Sequence, residues 1–322
     1  MTHDTTDEPT VKASHPWAVL EGDTPLFHTP GTYPPEYRED ATLEPLWRAR
    51  HRPIIKYPGS KFSMSEWIIG QFPPHTQYLD PFFGSGIILM NKPVARHEVV
   101  NDLDDNIVNL FRVVRDAGEQ LATLVEITPW ARTEYELCKH EKFDDPVEQA
   151  RRYIVQCWQG YGSSAGGRGA GWKNSGKNGA GLMITATWAR VPERIRAIIG
   201  RFRFVEIEHR PAVEVIERYA TSETLIYADP PYPKSTRNGR LYVEDYMSDA
   251  DHMVLLDTLD RCRGPVVLSG YACPLYDERL VHWTRRTRSA NDAKGQAKTE
   301  CLWLNQVCID RLGYGPLWAE SD

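Results

Sequence analysis

The sequence predicts an α/β protein, a doubly wound and mostly parallel sheet interrupted by an inserted subdomain. Strand-like apolar runs recur around Tyr78 and Leu79, Val99 and Val100, and Leu225 to Ala228, and each leads into an acid (Asp80, Asp102 and Asp229). Helix-periodic stretches follow them, as βαβ units require. That rhythm lapses from about residue 121 to 203 and then resumes, which marks the insertion. The expected division is an irregular leader over residues 1–45, an α/β domain over 46–120 and 201–322, and the inserted subdomain over 121–200.

Composition narrows the class. A chain of 322 residues, 41% apolar and 25% charged, can bury one large core or a core with an insert. No apolar run approaches the roughly 18 residues of a membrane span, and Met1, Thr2, His3 and Asp4 do not begin a basic signal peptide. The 6 cysteines have no paired or zinc-like spacing. The expectation is a cytoplasmic protein with reduced thiols, no membrane partner and no metal. The net charge is −6, yet residues 151–203 hold ten Lys and Arg against Glu193 alone. Residues 279–298 hold six against Asp292. Basic segments in an acidic chain predict a polyanion-binding surface.

The leader is rich in Thr, Pro, His and acids without periodicity. Ile54, Ile55 and Lys56 then read as a short strand entering a turn at Tyr57, Pro58 and Gly59. Met64, Trp67 and Ile68 mark a following helix face. Gly59 admits close backbone approach, and Lys61 near a helix start suits a carboxylate or phosphate. A second strand ends at Asp80, followed by Pro81, Phe82, Gly84, Ser85 and Gly86 before Ile87 and Ile88 open a helix. Two glycines after a strand allow a ligand to approach a helix N-terminus, but the spacing is not that of a nicotinamide-binding turn. The next strand ends in Asp102, placed to grip ribose hydroxyls. Asp104 and Asp105 fit as caps of a helix that Gly118 should stop.

Within the insertion, residues 160–179 are rich in Gly, Ser and Asn and carry Arg168, Trp172, Lys173 and Lys177. Such a loop cannot build a core, but it can wrap a charged ligand with an aromatic available to stack. Phe202 to Ile207 reads as a strand, and Pro211 as the start of a helix. The central stretch comes next: Thr224 to Ala228 as a buried strand, then Asp229, Pro230, Pro231 and Tyr232. The prolines end pairing and forbid a helix, so the acid, rigid carbonyls and an aromatic face converge at a strand's carboxyl end. Ser248 and Asp251 form a capping box, and Val266 to Ser269 and Glu300 to Asn305 are further strands. Arg285, Arg286 and Arg288 look like a basic hairpin loop.

Asp229-Pro230-Pro231-Tyr232 resembles the catalytic motif of amino-methyltransferases that use S-adenosyl-L-methionine. The order of Lys61 motif, glycine loop, Asp102, basic insertion and catalytic motif is similar to that of the D12-class, Dam-like (α-group) DNA adenine-N6 methyltransferases over roughly residues 50–310. This chain departs from their usual pattern at Ser60, where a second glycine is common, and at Tyr57, where Trp is common. The resemblance implies a Rossmann-like methyltransferase fold, S-adenosyl-L-methionine as cofactor and double-stranded DNA as partner. It implies cofactor contacts from Tyr57, Gly59, Lys61, Asp80, Phe82, Gly84, Gly86 and Asp102. It implies catalysis by Asp229, Pro230, Pro231 and Tyr232, and DNA contacts from Arg168, Trp172, Lys173 and Lys177, with Arg285, Arg286 and Arg288 beside them. Chemistry fits these types: hydrogen bonds to Asp229 and the Pro230 carbonyl would aim the amine lone pair at the methyl, and Tyr232 would stack on an extruded base. The same chemistry on RNA adenine or protein glutamine remains an alternative, as does a catalytically silent nucleic-acid-binding module.

Overall fold

The computed structural model describes residues 50–140, 143–161, 171–174, 184–233, 247–291 and 297–313, and the expected leader over 1–45 lies outside them. A 3-10 turn (Phe62–Met64) and α1 (Ser65–Ile69) precede β1 (Gln77–Asp80), α2 (Ile87–Asn91) and β2 (His97–Asn101). Helices α3 (Asp105–Ile127), α4 (Arg132–His140), α5 (Pro146–Gln159), α6 (Ile184–Trp188) and α7 (Val191–Phe202) follow. Alternation resumes with β3 (Val205–Glu208), α8 (Ala212–Tyr219), β4 (Thr224–Ala228), α9 (Asp249–Asp260), β5 (Val266–Tyr271) and α10 (Pro274–Arg279). The antiparallel pair β6 (Thr284–Asn291) and β7 (Ala297–Leu304) and then α11 (Gln306–Leu312) complete the order.

The strands join in one sheet of order β3-β2-β1-β4-β5-β7-β6. Neighbours from β3 to β5 are parallel, while β7 runs antiparallel to both β5 and β6. Side-chain alternation divides the core between the two faces. Tyr78, Leu225 and Tyr227 pack on one face with α2, α3, α5 and α7. Leu79, Ile226 and Ala228 pack on the other with α8 and α9. This is the doubly wound, Rossmann-like methyltransferase architecture expected from the sequence. Strand order reverses between β1 and β4, and in such sheets a ligand crevice opens there, beyond the carboxyl ends.

Local chemistry explains several boundaries. Asp104 caps α3 by accepting the Asn106 N–H at 2.9 Å, while Asp105 is the first helical residue. Ser248 and Asp251 form the expected capping box on α9. The stop expected at Gly118 takes the form of a kink that joins two helical runs, the second of which continues to Ile127. The helix breaks its dihedrals at Ala117 (φ −144°, ψ 33°), and a Cβ on Gly118 would lie 2.6 Å from Ile199 Cγ1. The glycine therefore serves a close crossing with α7. Ile54 and Ile55 are fully buried but lie in a bend, not a strand, because their backbone has no sheet neighbour. Phe202 closes α7 and stacks on Phe111, so the strand begins only at Val205.

The expected boundary at residue 120 falls inside α3. Leu121, Val125, Tyr153, Trp158 and Ile195 share a core cluster with sheet residues Tyr78, Leu225 and Tyr227. A buried ion triad reinforces the join: Lys92 Nζ lies 2.6 Å from Glu98 Oε1 on β2, and Arg201 of α7 is bidentate to the same carboxylate. Burial alone would raise the Glu98 carboxyl, but the charges of Arg201 and Lys92 hold it at about 2.

Candidate active site

The reversal between β1 and β4 sets Asp80 and Asp229 beyond adjacent strand ends. Asp80 is 2% exposed, and burial, then the neighbouring Asp229 charge, pushes its carboxyl well above the usual carboxylate range. The Tyr78 hydroxyl donates to it at 3.2 Å. Asp229 keeps 18% of its side-chain surface at the crevice. Burial raises its carboxyl and Glu300 adds to that, while Lys61 pulls it down.

The loops that meet these acids are tightly tied. Gly84 and Gly86 adopt left-handed backbone (φ +50° and +67°). A Cβ on Gly84 would stand 3.0 Å from the Tyr57 ring, and one on Gly86 2.6 Å from Phe83, so both positions demand glycine. Ser60 and Ser85 hydroxyls meet at 3.1 Å, joining the Lys61 turn to the glycine loop. Asp102 braces that loop by accepting the Gly84 N–H at 2.7 Å and the Asp104 N–H at 2.9 Å. Asn101 donates to the Pro81 carbonyl at 3.0 Å, fixing the same loop from beneath.

One pocket results, lined by Tyr57, Pro58, Gly59, Ser60 and Lys61 from the first turn and by Asp80, Phe82, Phe83, Gly84, Ser85, Ile87 and Ile88 from the glycine loop and α2. Tyr227 and Asp229 from β4 complete it. Predicted residues Tyr57, Gly59, Lys61, Asp80, Phe82, Gly84 and Asp229 thus converge. Gly86 and Asp102 shape the wall without lining it. The donor set suits a zwitterionic sulfonium nucleoside: aromatic rings for a base, buried carboxylates for positive charge and Lys61 for a carboxylate.

Lys61 occupies an informative position. Its ammonium lies 2.9 and 2.8 Å from the two Asp229 oxygens, donates to Gly59 O at 3.1 Å, and sits 3.7 Å from Glu300 Oε1. It also stands 4.9 Å from the centroid of the Tyr232 ring, covering one aromatic face. Tyr232 is buried, with its ring edge-on to Tyr271 at 4.6 Å and its hydroxyl donating to Glu300. Pro230 is buried and Pro231 half-buried between Asp229 and Tyr232, and none of the described peptide bonds is cis.

The predicted DNA-contacting residues divide into two groups. Trp172 and Lys173 are held to the end of α5 by a Gly160–Trp172 bridge and by the Lys173 N–H bonding Gln159 O at 2.7 Å. The Arg132 guanidinium lies 5.0 Å from the Trp172 ring centroid. Lys173 faces Lys56, whose ammonium stands 4.4 Å from the Trp158 ring centroid; burial, then Lys173 and Arg194, lowers Lys56 to about 8. Arg285, Arg286 and Arg288 are exposed but belong to strand β6 rather than a loop, because this segment pairs with β7 along its whole length. Arg285 pairs with Asp277 at 2.7 Å. Arg168 and Lys177 lie outside the described residues.

Sequence reasoning missed Tyr227, Ser60, Phe83 and Glu300. Tyr227 was readable, since it lies two residues before Asp229 on a strand of period two. Glu300 carried one signal, an acid opening the apolar run Cys301, Leu302, Trp303 and Leu304.

A family model for D12 class N6 adenine-specific DNA methyltransferases matches residues 57–291. The chain belongs to that family. The match takes in the Lys61 turn, the glycine loop, Asp102, the insertion and Asp229 to Tyr232, and it ends before Glu300. A DNA adenine methylase of Haemophilus influenzae is 27% identical over 113 residues, which are 34% of this chain and 39% of that relative. Among solved structures, a proposed RNA methyltransferase of Pyrococcus horikoshii superposes with a TM-score of 0.35 at 9% identity, over 84% of this chain and 97% of its own. An S-adenosylmethionine-dependent methyltransferase of Agrobacterium tumefaciens gives 0.31 at 11% identity, over 76% and 60%. The fold of this D12-class chain rests on its own strand order.

Proposed function

We propose that this protein methylates N6 of adenine at specific sites in double-stranded DNA, with the target base extruded into the crevice beside Asp229. The observation that carries the reading is the convergence of Lys61, the glycine loop, Asp80 and Asp229 on one pocket at the strand-order reversal. S-adenosyl-L-methionine, when bound, supplies an electrophilic methyl group. The residues that would hold it are Tyr57, Gly59, Lys61, Asp80, Phe82, Gly84, Gly86 and Asp102.

The chain's own groups have defined tasks. Asp229 and the Pro230 carbonyl accept hydrogen bonds from the exocyclic amine, which favours a pyramidal nitrogen with a directed lone pair. Orientation of this kind is where such a site gains rate. Lys61 now donates to both Asp229 oxygens, so the arriving amine either shares an oxygen with the ammonium, using its second lone pair, or displaces it. Tyr232 offers its ring to the extruded base once Lys61 leaves the covered face. Pro231 keeps the chain from relaxing between the two. Residues 121–200 carry target recognition, through Trp172 and Lys173 and through Arg168 and Lys177.

The test is transfer of labelled methyl groups to unmodified duplex DNA, with RNA and protein as parallel substrates. Label in DNA adenine is expected, and Asp229→Ala should abolish it while leaving most DNA affinity, because phosphate contacts dominate that affinity. Near-normal turnover in Asp229→Ala would reduce Asp229 to Tyr232 to a structural turn. Label in RNA or protein instead would transfer the chemistry to another substrate.

A further inference from the structure

Glu300 is a buried acid at an unexpected address. It lies on β7, nine residues past the family match that ends at 291, and is only 4% exposed. A carboxylate in such a place is costly unless it is fully hydrogen-bonded. Its Oε1 accepts from the Tyr232 hydroxyl and from Ser269 Oγ at 3.0 Å, and lies 3.7 Å from Lys61 Nζ. Two strands bring these donors together: β5 carries Ser269, and Glu300 lies directly opposite Tyr271 in the β5–β7 register. Tyr271 in turn packs edge-on against the Tyr232 ring, so the phenol is held at its ring and at its oxygen.

The Tyr232 hydroxyl also interacts with Asp229. Two carboxylates therefore compete for one O–H. If Asp229 received it in addition to the two bonds from Lys61, the phenol would take one of the few lone pairs left for the incoming amine. We propose that Glu300 is a positioning residue for methyl transfer: it takes the Tyr232 O–H, fixes the ring, and leaves the Asp229 oxygens for Lys61 and the substrate amine. This rests on the reading of Asp229 as the amine's acceptor.

The proposal predicts suppression between two substitutions. Glu300→Ala, and Glu300→Leu as a volume-filling variant that spares the fold, should lower kcat on amplified, unmethylated duplex DNA by about tenfold to a hundredfold, the range of one charge-assisted hydrogen bond. Affinity for S-adenosylhomocysteine should move by less than about threefold in calorimetry, well short of the tenfold expected for a lost direct contact. Glu300→Gln, which still accepts the O–H, should fall between these variants and the wild type. Adding Tyr232→Phe removes the competing hydroxyl and should raise the rate of Glu300→Leu several-fold. A scaffold role would make the double variant slower than either single one. Wild-type kcat in Glu300→Leu, or a double variant no faster than Glu300→Leu, would overturn the role of Glu300 alone. A wild-type protein that labels no DNA would overturn the underlying reading, and this proposal with it.

Discussion

Burial pushes the Asp102 carboxyl up to about 6, while the N–H groups of Asp104 and Gly84 pull it down. Its folded value lies above its unfolded one, so its contribution to stability is present at low pH and is lost as pH rises through about 6. Ligand binding should run the other way, because the ionised form is the better acceptor for ribose hydroxyls. Affinity for S-adenosylhomocysteine is therefore expected to fall as pH drops from 7.5 to 5, inflecting near 6, and Asp102→Asn should remove the inflection. Calorimetry across that range checks it, and a flat wild-type profile would detach Asp102 from the ligand. At this scale the pocket was legible wherever its residues are close together in the chain. Asp80, Gly84 and Asp229 announce themselves through their immediate neighbours in the chain, a proline or a second glycine. Glu300 does not, because its partners Tyr232 and Ser269 reach it only through the register of an antiparallel strand. The Lys61–Asp229 pair was hidden for a similar reason, being a contact between residues 168 positions apart.

Among the elements, α3 shows how a local signal can hold only in part. Gly118 reads as a stop, and the helix does break its dihedrals beside it, at Ala117, but a second helical run resumes and packs against α7 despite a propensity cost of about 1 kcal/mol at the glycine. Gly118→Ala should recover that propensity but force a Cβ to within 2.6 Å of Ile199, and overpacking typically costs about 1–3 kcal/mol. The expected outcome is a net loss of stability of up to about 2 kcal/mol. Ile199→Ala in the same chain should return part of it. Urea unfolding decides the matter, and a stabilised Gly118→Ala would mean that the crossing yields easily. Strands were legible where an acid or proline ended them, as at Asp80 and Pro230. The segment of Arg285, Arg286 and Arg288 looked like a loop because its arginines conceal the alternation of an edge strand. Only pairing with β7 makes it a strand.

For the whole molecule, the doubly wound order was readable because each βα unit carried its own period, and right-handed crossovers leave few alternatives. The relation of the insertion to the sheet was not, since it depends on helix packing between distant segments. Charge distribution gives a prediction at this scale. Each phosphate contact contributes about 0.9 to the slope of log affinity against log salt. Neutralising Arg286 and Arg288 should flatten that slope by up to about 1.8 if both meet the backbone. Arg285, held by Asp277, should contribute less. Salt titrations of duplex binding check both, and an unchanged slope in the double variant would take β6 out of the interface. The buried triad of Lys92, Glu98 and Arg201 has a consequence for anyone recombining such enzymes. The segment between β2 and β3 is not a cassette with clean seams: α3 runs through its first seam, and Arg201 near its last answers a charge on the second strand. A graft of residues 121–200 from a relative with another specificity would inherit half a helix and join it to a foreign α7 crossing. Exchange of the longer piece from Asp104 to Phe202 keeps α3 and α7 whole, provided that the incoming piece carries an arginine at the place of Arg201 to answer Glu98 and Lys92, which stay behind.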